Sequence, residues 1–292
     1  MKPPSFEYVA PRSLDDVTAQ LAQHGSAAKV LAGGQSLLPL LNLRLAGPSL
    51  LVDVNALDDL ATIQTWDGGL ALGALVRQST LEGDRQVRER LPLLAEASAL
   101  VGHPAIRHRG TLGGSLAHAD PAAELPAAML ALEATLVARG PRGTRTLAAG
   151  DFFTGYLSTA LAPDELLVEV RVPGPPSGAT GSAFVEMTRR GGDFAICGAA
   201  AQVTLNASGR CDQVRLALCG VADRPVRATG VEAALVGEVP SERQVADAAQ
   251  RVVESIDPPS DVHGSAAYRR KLAIVMTRRA ILLAAQRAGV SA

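Results

Sequence analysis

Ala32-Gly33-Gly34-Gln35-Ser36 is the stretch that decides the fold of this chain, and Thr111-Leu112-Gly113-Gly114-Ser115 repeats its pattern later in the sequence. In both segments a glycine pair with a hydroxyl side chain just after it lies between an apolar extended run and a helix-like run. Glycine lets the backbone approach a ligand closely, and its N–H groups then point at phosphate oxygens. The pair predicts two loops that close on one anionic group, although two ordinary turns would give the same pattern.

Neither segment is one of the common nucleotide-binding motifs. No Gly-Lys-Ser/Thr follows the first segment, as a P-loop requires, and it is neither GxGxxG nor followed by an acidic residue at ribose distance. A Rossmann site uses one loop, whereas two separate loops suit a pyrophosphate held between two small subdomains. The hydroxyls of Ser36, Thr111 and Ser115 are the expected side-chain donors, and loop amides are expected to supply the rest.

Composition excludes several classes of function. The 292 residues carry a formal net charge of −1, so the chain shows no nucleic-acid footprint. No apolar stretch is long enough to span a bilayer and the start of the chain has no signal core, so we expect a cytoplasmic protein. Cys197, Cys211 and Cys219 lack metal-site spacing, and we expect them to be packed in strands. Any iron–sulfur or metal centre would therefore lie on another chain.

The pattern along the chain predicts an α+β protein with a boundary near residue 177. Residues 13–54 read as helix, strand, glycine loop, helix and strand. A proline- and glycine-rich linker at residues 173–178 precedes three predicted strands and two helices. The predicted domains are 1–176, with subdomains of about 1–56 and 57–176, and 177–292.

In their longer contexts these segments resemble the FAD-binding medium subunits of the molybdenum hydroxylases, the xanthine dehydrogenase and carbon monoxide dehydrogenase family. Residues 32–39 and 106–121 resemble the two FAD loops of these subunits, and residues 191–195 resemble the segment that brings a side chain to the flavin ring. Residues 220–222 and 268–272 resemble their C-terminal domain. The match follows the order of the chain over nearly its whole length and is closest to the carbon monoxide dehydrogenase branch.

This resemblance implies an FAD-binding fold of the vanillyl-alcohol oxidase (PCMH) type in two α+β subdomains. A C-terminal domain with a three-stranded antiparallel sheet and helices would follow. The two glycine segments would hold the pyrophosphate, with Glu124 near the ribose and Asp193 and Phe194 near the isoalloxazine, although Phe194 also suits a core position. The implied cofactor-binding residues are Lys29, Ala32, Gly33, Gly34, Gln35, Ser36, Leu37, Thr111, Leu112, Gly113, Gly114, Ser115, Glu124, Leu167, Asp193 and Phe194.

The implied function is electron transfer. FAD would take electrons from a small [2Fe-2S] subunit, in a complex with a large subunit that carries molybdopterin, and pass them to an external acceptor. The complex would be a dimer of heterotrimers, and the resemblance assigns no catalytic acid or base to this chain. Gln35 stands where covalent attachment would need a histidine, so noncovalent FAD is expected. A free-standing FAD-dependent oxidoreductase and a structural subunit without FAD remain alternatives, and the substrate and acceptor stay open.

The last predicted helix, residues 265–288, is unusually basic. Its six arginine and lysine residues are consistent with a solvated face above a buried stripe at Leu272, Val275 and Ile281. They are equally consistent with a docking face for an acidic partner subunit. The sequence does not decide between these two interpretations, because it does not show which of the charges have partners within the chain.

Overall fold

A computed structural model describes residues 2–290, and its first region is a small parallel sheet with helices. The strand order is β1-β3-β2. Ser13 begins the first helix as its N-cap, since its side chain accepts a hydrogen bond of 3.1 Å from the backbone N–H of Asp16. The elements are β1 (Glu7–Val9), α1 (Leu14–His24), β2 (Ala28–Leu31), α2 (Leu37–Asn42) and β3 (Leu50–Asp53).

The second region is a five-stranded antiparallel sheet covered by helices. The strand order is β4-β5-β10-β6-β7, and a two-stranded ribbon of β8 and β9 lies beside it. Its elements are β4 (Ile63–Trp66), β5 (Gly69–Gly73), α3 (Gln78–Gly83), α4 (Arg85–Arg90), α5 (Pro92–Leu100), α6 (Pro104–Arg107), α7 (Leu112–His118), α8 (Glu124–Ala131), β6 (Thr135–Gly140), β7 (Gly143–Ala148), α9 (Ala149–Phe152), β8 (Phe153–Gly155), β9 (Ser158–Thr159) and β10 (Leu166–Val172).

The third region is an antiparallel sheet of order β11-β12-β13-β14 with three helices. The three long strands confirm the predicted sheet, and a two-residue strand adds a fourth member at its edge. The elements are β11 (Ala179–Met187), β12 (Cys197–Leu205), β13 (Cys211–Cys219), β14 (Val226–Arg227), α10 (Thr229–Leu235), α11 (Glu242–Ala249) and α12 (Ala266–Arg287). The mixed helix and sheet content confirms the α+β class.

The strand β12 of the third region is buried on both faces of its sheet, which fixes this region against the second. All nine residues of β12 are buried. Ala199 and Ala201 belong to a core that α12 completes, whereas Ala200 and Phe184 belong to the core of the second region. Because neighbouring strand residues point to opposite faces, one strand serves both cores. Its sequence is therefore mostly apolar rather than alternating, with Gln202 and Thr204 as its buried polar members.

Several basic side chains of helix α12 have partners within the same chain. Arg269 is 4% exposed and donates to the backbone oxygens of Ile196 (2.5 Å) and Gly220 (2.9 Å). Arg270 and Arg278 form ion pairs with acidic residues of the same chain. A free docking face therefore holds fewer charges than the sequence suggests. Leu272 and Ile281 are buried as expected, but the expectation for Val275 is wrong, since it is 40% exposed.

Within residues 2–290, no helix is both long enough and apolar enough to cross a membrane.

Candidate functional site

The first glycine segment connects β2 to α2 and presents a row of free backbone donors. Within residues 2–290, the backbone N–H groups of Gly33, Gly34, Gln35 and Ser36 donate to no protein acceptor. Gly34 has a φ of +74°, a conformation that favours glycine. The Gln35 side chain folds back and donates to the backbone oxygen of Gly33 at 3.0 Å. Successive unpaired amides around such a turn form a concave site for an anion.

The second glycine segment is the start of a helix rather than an open loop. Thr111 is the N-cap of α7, and its side-chain oxygen accepts a hydrogen bond of 3.0 Å from Gly114. The N–H groups of Leu112, Gly113 and Ser115 also donate within the chain, to Val76, Ala74 and Thr111. The expectation that both segments supply free amides is therefore wrong for Leu112 to Ser115. The polar groups that remain are the backbone N–H of Thr111 and the hydroxyls of Thr111 and Ser115.

Gly113 is a packing residue in this structure. A Cβ atom at this position would lie 2.5 Å from the Cβ atom of Ala74 and 2.8 Å from its backbone oxygen. Helix α7 can approach the end of β5 this closely only without a side chain at that point. Gly113 thus allows α7 to pack against Ala74. This packing determines where the hydroxyls of Thr111 and Ser115, at the start of α7, are placed.

The two segments meet, although they are far apart in the sequence. A Cβ atom on Gly33 would lie 2.4 Å from the backbone oxygen of Arg109 and 2.8 Å from the Cα atom of Gly110. On Gly114 it would lie 3.8 Å from the Cβ atom of Ala32. The row of free amides therefore lies directly beside the turn that leads into α7, where both segments can contact one group.

The remaining predicted site residues differ in exposure. Lys29 lies on β2 and is exposed, and Leu37 is the half-buried first residue of α2. Leu167 is buried in the core of the second region, so only its backbone is available to a ligand.

Glu124, the first residue of α8, is 3% exposed. Burial raises its pKa to about 8, and the nearby carboxylates of Glu186 and Asp120 add to the shift, against a hydrogen bond from its own backbone N–H. Burial also raises the pKa of Glu186, to about 7. With a pKa of about 8, the Glu124 carboxyl group is mostly protonated near neutral pH and can donate a hydrogen bond.

The segment with Asp193 and Phe194 connects β11 to β12 and reaches toward the second glycine segment. Phe194 is 58% exposed, so the interpretation of this residue as a core aromatic is wrong. Gly192 has a φ of +89° and lies against the ring of His103, where a Cβ atom would be 2.2 Å from Nδ1. His103 is the residue just before α6, so the third region touches the stretch of chain that leads into Thr111.

The three cysteines lie in β12 and β13 and are buried, as predicted. Burial raises the pKa of Cys197 to about 12 and that of Cys211 to about 11. Thiols held in the protonated form are poor nucleophiles and poor metal ligands. In the described part of the chain, no group of three histidine, cysteine or acidic side chains is placed to hold a metal ion.

Sequence reasoning missed two side chains that contact this site. Asn55, shortly after β3, donates to the backbone oxygen of Ala32 in the first glycine segment. Arg77, in the stretch between β5 and α3, donates to the backbone oxygen of Arg109, just before the second segment. The local signal for either residue is a polar side chain in the stretch that follows a strand. An open cleft of about 750 Å³ between Phe153 and the stretch 224–227 shares no residue with the site.

Comparison with known proteins identifies relatives over the whole length of the chain. A family model described as "FAD binding domain in molybdopterin dehydrogenase" matches residues 4–175. A second, described as "CO dehydrogenase flavoprotein C-terminal domain", matches residues 182–284.

Two relatives are subunits of named dehydrogenases. The alpha subunit of the 6-hydroxypseudooxynicotine dehydrogenase complex of Paenarthrobacter nicotinovorans is 44% identical, with 99% of this chain and 97% of that protein covered. The beta subunit of caffeine dehydrogenase from Pseudomonas sp. strain CBB1 is 42% identical, with 98% and 97% covered. A chain in the structure of carbon monoxide dehydrogenase from Hydrogenophaga pseudoflava superposes with a TM-score of 0.95 at 41% identity, covering 98% of this chain and 99% of that one.

Proposed function

The chain belongs to the FAD-binding subunits of the molybdenum hydroxylases and is an oxidoreductase subunit that carries FAD, and on that premise we propose how its residues hold the cofactor and which partners it has. The observation that carries the proposal is the row of four free backbone N–H groups from Gly33 to Ser36, held against the turn at Arg109 and Gly110. A diphosphate needs several donors on one side, and this row supplies them.

The residues present fit the cofactor. In the proposed arrangement Gly33, Gly34, Gln35 and Ser36 bind the pyrophosphate through their amides, and the hydroxyls of Ser36, Thr111 and Ser115 complete the set. The rest of the assigned set borders the nucleotide or packs the two segments together: Lys29, Ala32, Leu37, Leu112, Gly113, Gly114 and Leu167. When bound, FAD supplies two-electron chemistry that accepts and releases electrons singly or as a hydride.

Glu124 is proposed as the acidic residue near the ribose end. Because its pKa of about 8 keeps it mostly protonated at neutral pH, it would donate a hydrogen bond to a cofactor oxygen without adding negative charge beside the diphosphate. Asp193 and Phe194 are proposed to lie near the isoalloxazine. The exposure of Phe194 leaves its ring free to contact a planar ligand.

The proposed partners are a small [2Fe-2S] subunit and a large molybdopterin subunit, in a dimer of heterotrimers in the cytoplasm. The support is that relatives of nearly the same length are subunits of dehydrogenase complexes. This favours an electron-transfer subunit over a free-standing flavin enzyme, and the free amides disfavour a subunit that has lost FAD. The proposed domain limits, 1–176 and 177–292, are supported by the core that α12 completes, whose buried members all lie between Ala183 and Ala288.

The test is to express the chain alone, remove its flavin and titrate it with FAD by fluorescence. We expect one FAD per chain with a flavin spectrum, complete release of FAD on acid precipitation, and no substrate turnover. Flavin that stays with the denatured protein would contradict noncovalent binding. Turnover without two further chains would favour the free-standing enzyme, and failure to bind FAD would overturn the proposed function.

A further inference from the structure

The guanidinium group of Arg77 connects the two sides of the candidate site. Arg77 lies between β5 and α3 in the second region. Its Nη1 atom donates to the backbone oxygen of Arg109 at 2.5 Å, and its Nη2 atom donates to the side-chain oxygen of Asn55 at 2.7 Å. The first acceptor belongs to the turn that leads into α7, and the second belongs to the first region. Arg77 therefore joins the two halves of the site through one planar group.

Asn55 carries this connection to the first glycine segment. Its Nδ2 atom donates to the backbone oxygen of Ala32 at 2.8 Å and to Oδ1 of Asp53 at 2.7 Å. Its Oδ1 atom accepts from Arg77, so both ends of the carboxamide are assigned. Asp53 is held in turn by the hydroxyl of Tyr8, which donates to Oδ2 at 2.7 Å. The orientation of the Asn55 side chain is thus fixed from three sides.

The hydrogen bond to Ala32 determines where the next N–H group points. A trans peptide is planar, and its C=O and N–H groups point in opposite directions. Because the Ala32 oxygen is turned toward Asn55, the N–H group of Gly33 is turned away from it. That N–H group is the first of the four free donors. On the other side of the contact, Arg77 holds the Arg109 oxygen against which Gly33 packs.

Three charged side chains interact around this connection, those of Asp53, Arg77 and Arg109. Arg109 lies near both Asp53 and Arg77, and partial burial together with the Arg109 charge lowers the pKa of Arg77. Partial burial opposes ionisation of Asp53, but hydrogen bonds from Asn55 and Tyr8 and the charge of Arg109 outweigh it and lower the pKa of Asp53. The Asp53 carboxylate therefore lies near Arg77. The Arg77 N–H groups themselves donate to the Arg109 backbone oxygen and to the Asn55 side chain.

We propose that Asn55 and Arg77 are a positioning pair that orients the first glycine segment for the diphosphate, without touching the cofactor themselves. The inference rests on the proposed function of the two segments. The pair acts by holding the backbone carbonyl groups of Ala32 and Arg109 through hydrogen bonds. Lysine at position 77 would keep the charge but could not span both acceptors with a planar fork.

The experiment is a double-mutant cycle on the full chain, with the dissociation constant for FAD and the melting temperature of the FAD-free protein as readouts. We expect Arg77→Met and Asn55→Ala each to raise the dissociation constant about tenfold, the size of one lost charge-assisted hydrogen bond. Since both variants break one connection, the double variant should also be weakened about tenfold rather than about a hundredfold. Arg77→Lys, which keeps charge and bulk, should remain about as weak as Arg77→Met.

Arg85→Met is the matched control, because Arg85 is an exposed arginine on α4 whose only ion pair within residues 2–290 is with Glu89. It should leave both readouts unchanged. Additive losses in the cycle, full recovery in Arg77→Lys, or a lower melting temperature with an unchanged dissociation constant would each overturn the positioning role. Failure of the wild-type chain to bind FAD would instead overturn the proposed function, so the two outcomes are separate.

Discussion

Gly33 packs against the backbone oxygen of Arg109, so closely that a Cβ atom on Gly33 would lie 2.4 Å from it. This contact joins the turn after β2 to the turn before α7. Both partners are backbone groups, so neither can rotate out of the way as a side chain could. The two glycine segments can therefore lie this close only because Gly33 has no Cβ atom.

Gly33→Ala should separate the two segments. Because the added methyl group would meet backbone atoms, we expect a loss of stability of about 1–3 kcal/mol and at least a tenfold weaker FAD affinity. Urea unfolding and FAD titration measure the two effects. Gly83→Ala is the control, since within residues 2–290 its added Cβ atom would have no neighbour closer than 4 Å outside its own stretch of helix. Equal behaviour of the two variants would contradict the contact.

Gly113→Ala should displace α7 from β5, because its Cβ atom would lie 2.5 Å from that of Ala74. A melting temperature below wild type is expected. Combining it with Ala74→Gly removes one of the two clashing carbons and should restore part of the loss, while the clash with the Ala74 oxygen remains. If the double variant is less stable than the sum of the single changes implies, packing at this point is not the reason for the glycine.

The stability of the FAD-free chain should fall as pH rises from about 4.5 to about 8. Glu124 has a folded pKa of about 8 against an ordinary value of 4.5, so the folded state binds more protons than the unfolded state across this window. Glu124→Gln should therefore raise the melting temperature at pH 8.5 and change it little at pH 4.

Part of the slope below pH 7 should survive in Glu124→Gln, because burial also raises the pKa of Glu186, to about 7. Glu186→Gln should remove that part. Glu89→Gln, at an exposed position on α4, serves as the control and should leave the profile unchanged. Identical profiles for wild type and for both glutamine variants between pH 5 and pH 8 would show that neither carboxyl group is held protonated.

Arg269→Met should destabilise the third region. The change leaves the buried oxygens of Ile196 and Gly220 without their donor, and we expect a loss of about 3–5 kcal/mol in urea unfolding. Lys271→Met, at an exposed position on the same helix, should cost less than about 0.5 kcal/mol. Similar losses in the two variants would mean that Arg269 does not hold β12 and β13 to α12.

Phe194→Ala tests whether the ring of Phe194 faces a ligand or belongs to the core. Because Phe194 is 58% exposed, we expect the melting temperature of the FAD-free chain to stay within 1–2 °C of wild type, since a surface change costs within about 0.5 kcal/mol. The flavin fluorescence or the rate of flavin reoxidation in the FAD-bound chain should change. A loss of about 3–5 kcal/mol would instead be the signature of a core aromatic.

Local signals predicted the local structure well. Ser13 and Ser265 each accept a hydrogen bond from the backbone N–H three residues on, as the predicted helix starts require. These caps depend only on neighbours in the chain. The short helix Pro104–Arg107 has no comparable signal in the sequence, because a single turn with proline at its start has no apolar period to reveal it.

The sequence by itself determined that each glycine segment lies between extended and helical stretches, and that long strands follow the linker. Both results come from local properties, namely the periods of strands and helices and the conformations that glycine allows. The tertiary structure decided which amides stay free. The N–H groups of Leu112, Gly113, Gly114 and Ser115 donate to Ala74, Val76 and Thr111, whereas within residues 2–290 those of Gly33 to Ser36 have no protein acceptor. The orientation of the first segment depends on Arg77 and Asn55, 22 positions apart in sequence. Hydrogen-bond partners of this kind are chosen by distance in space, which a sequence pattern does not contain.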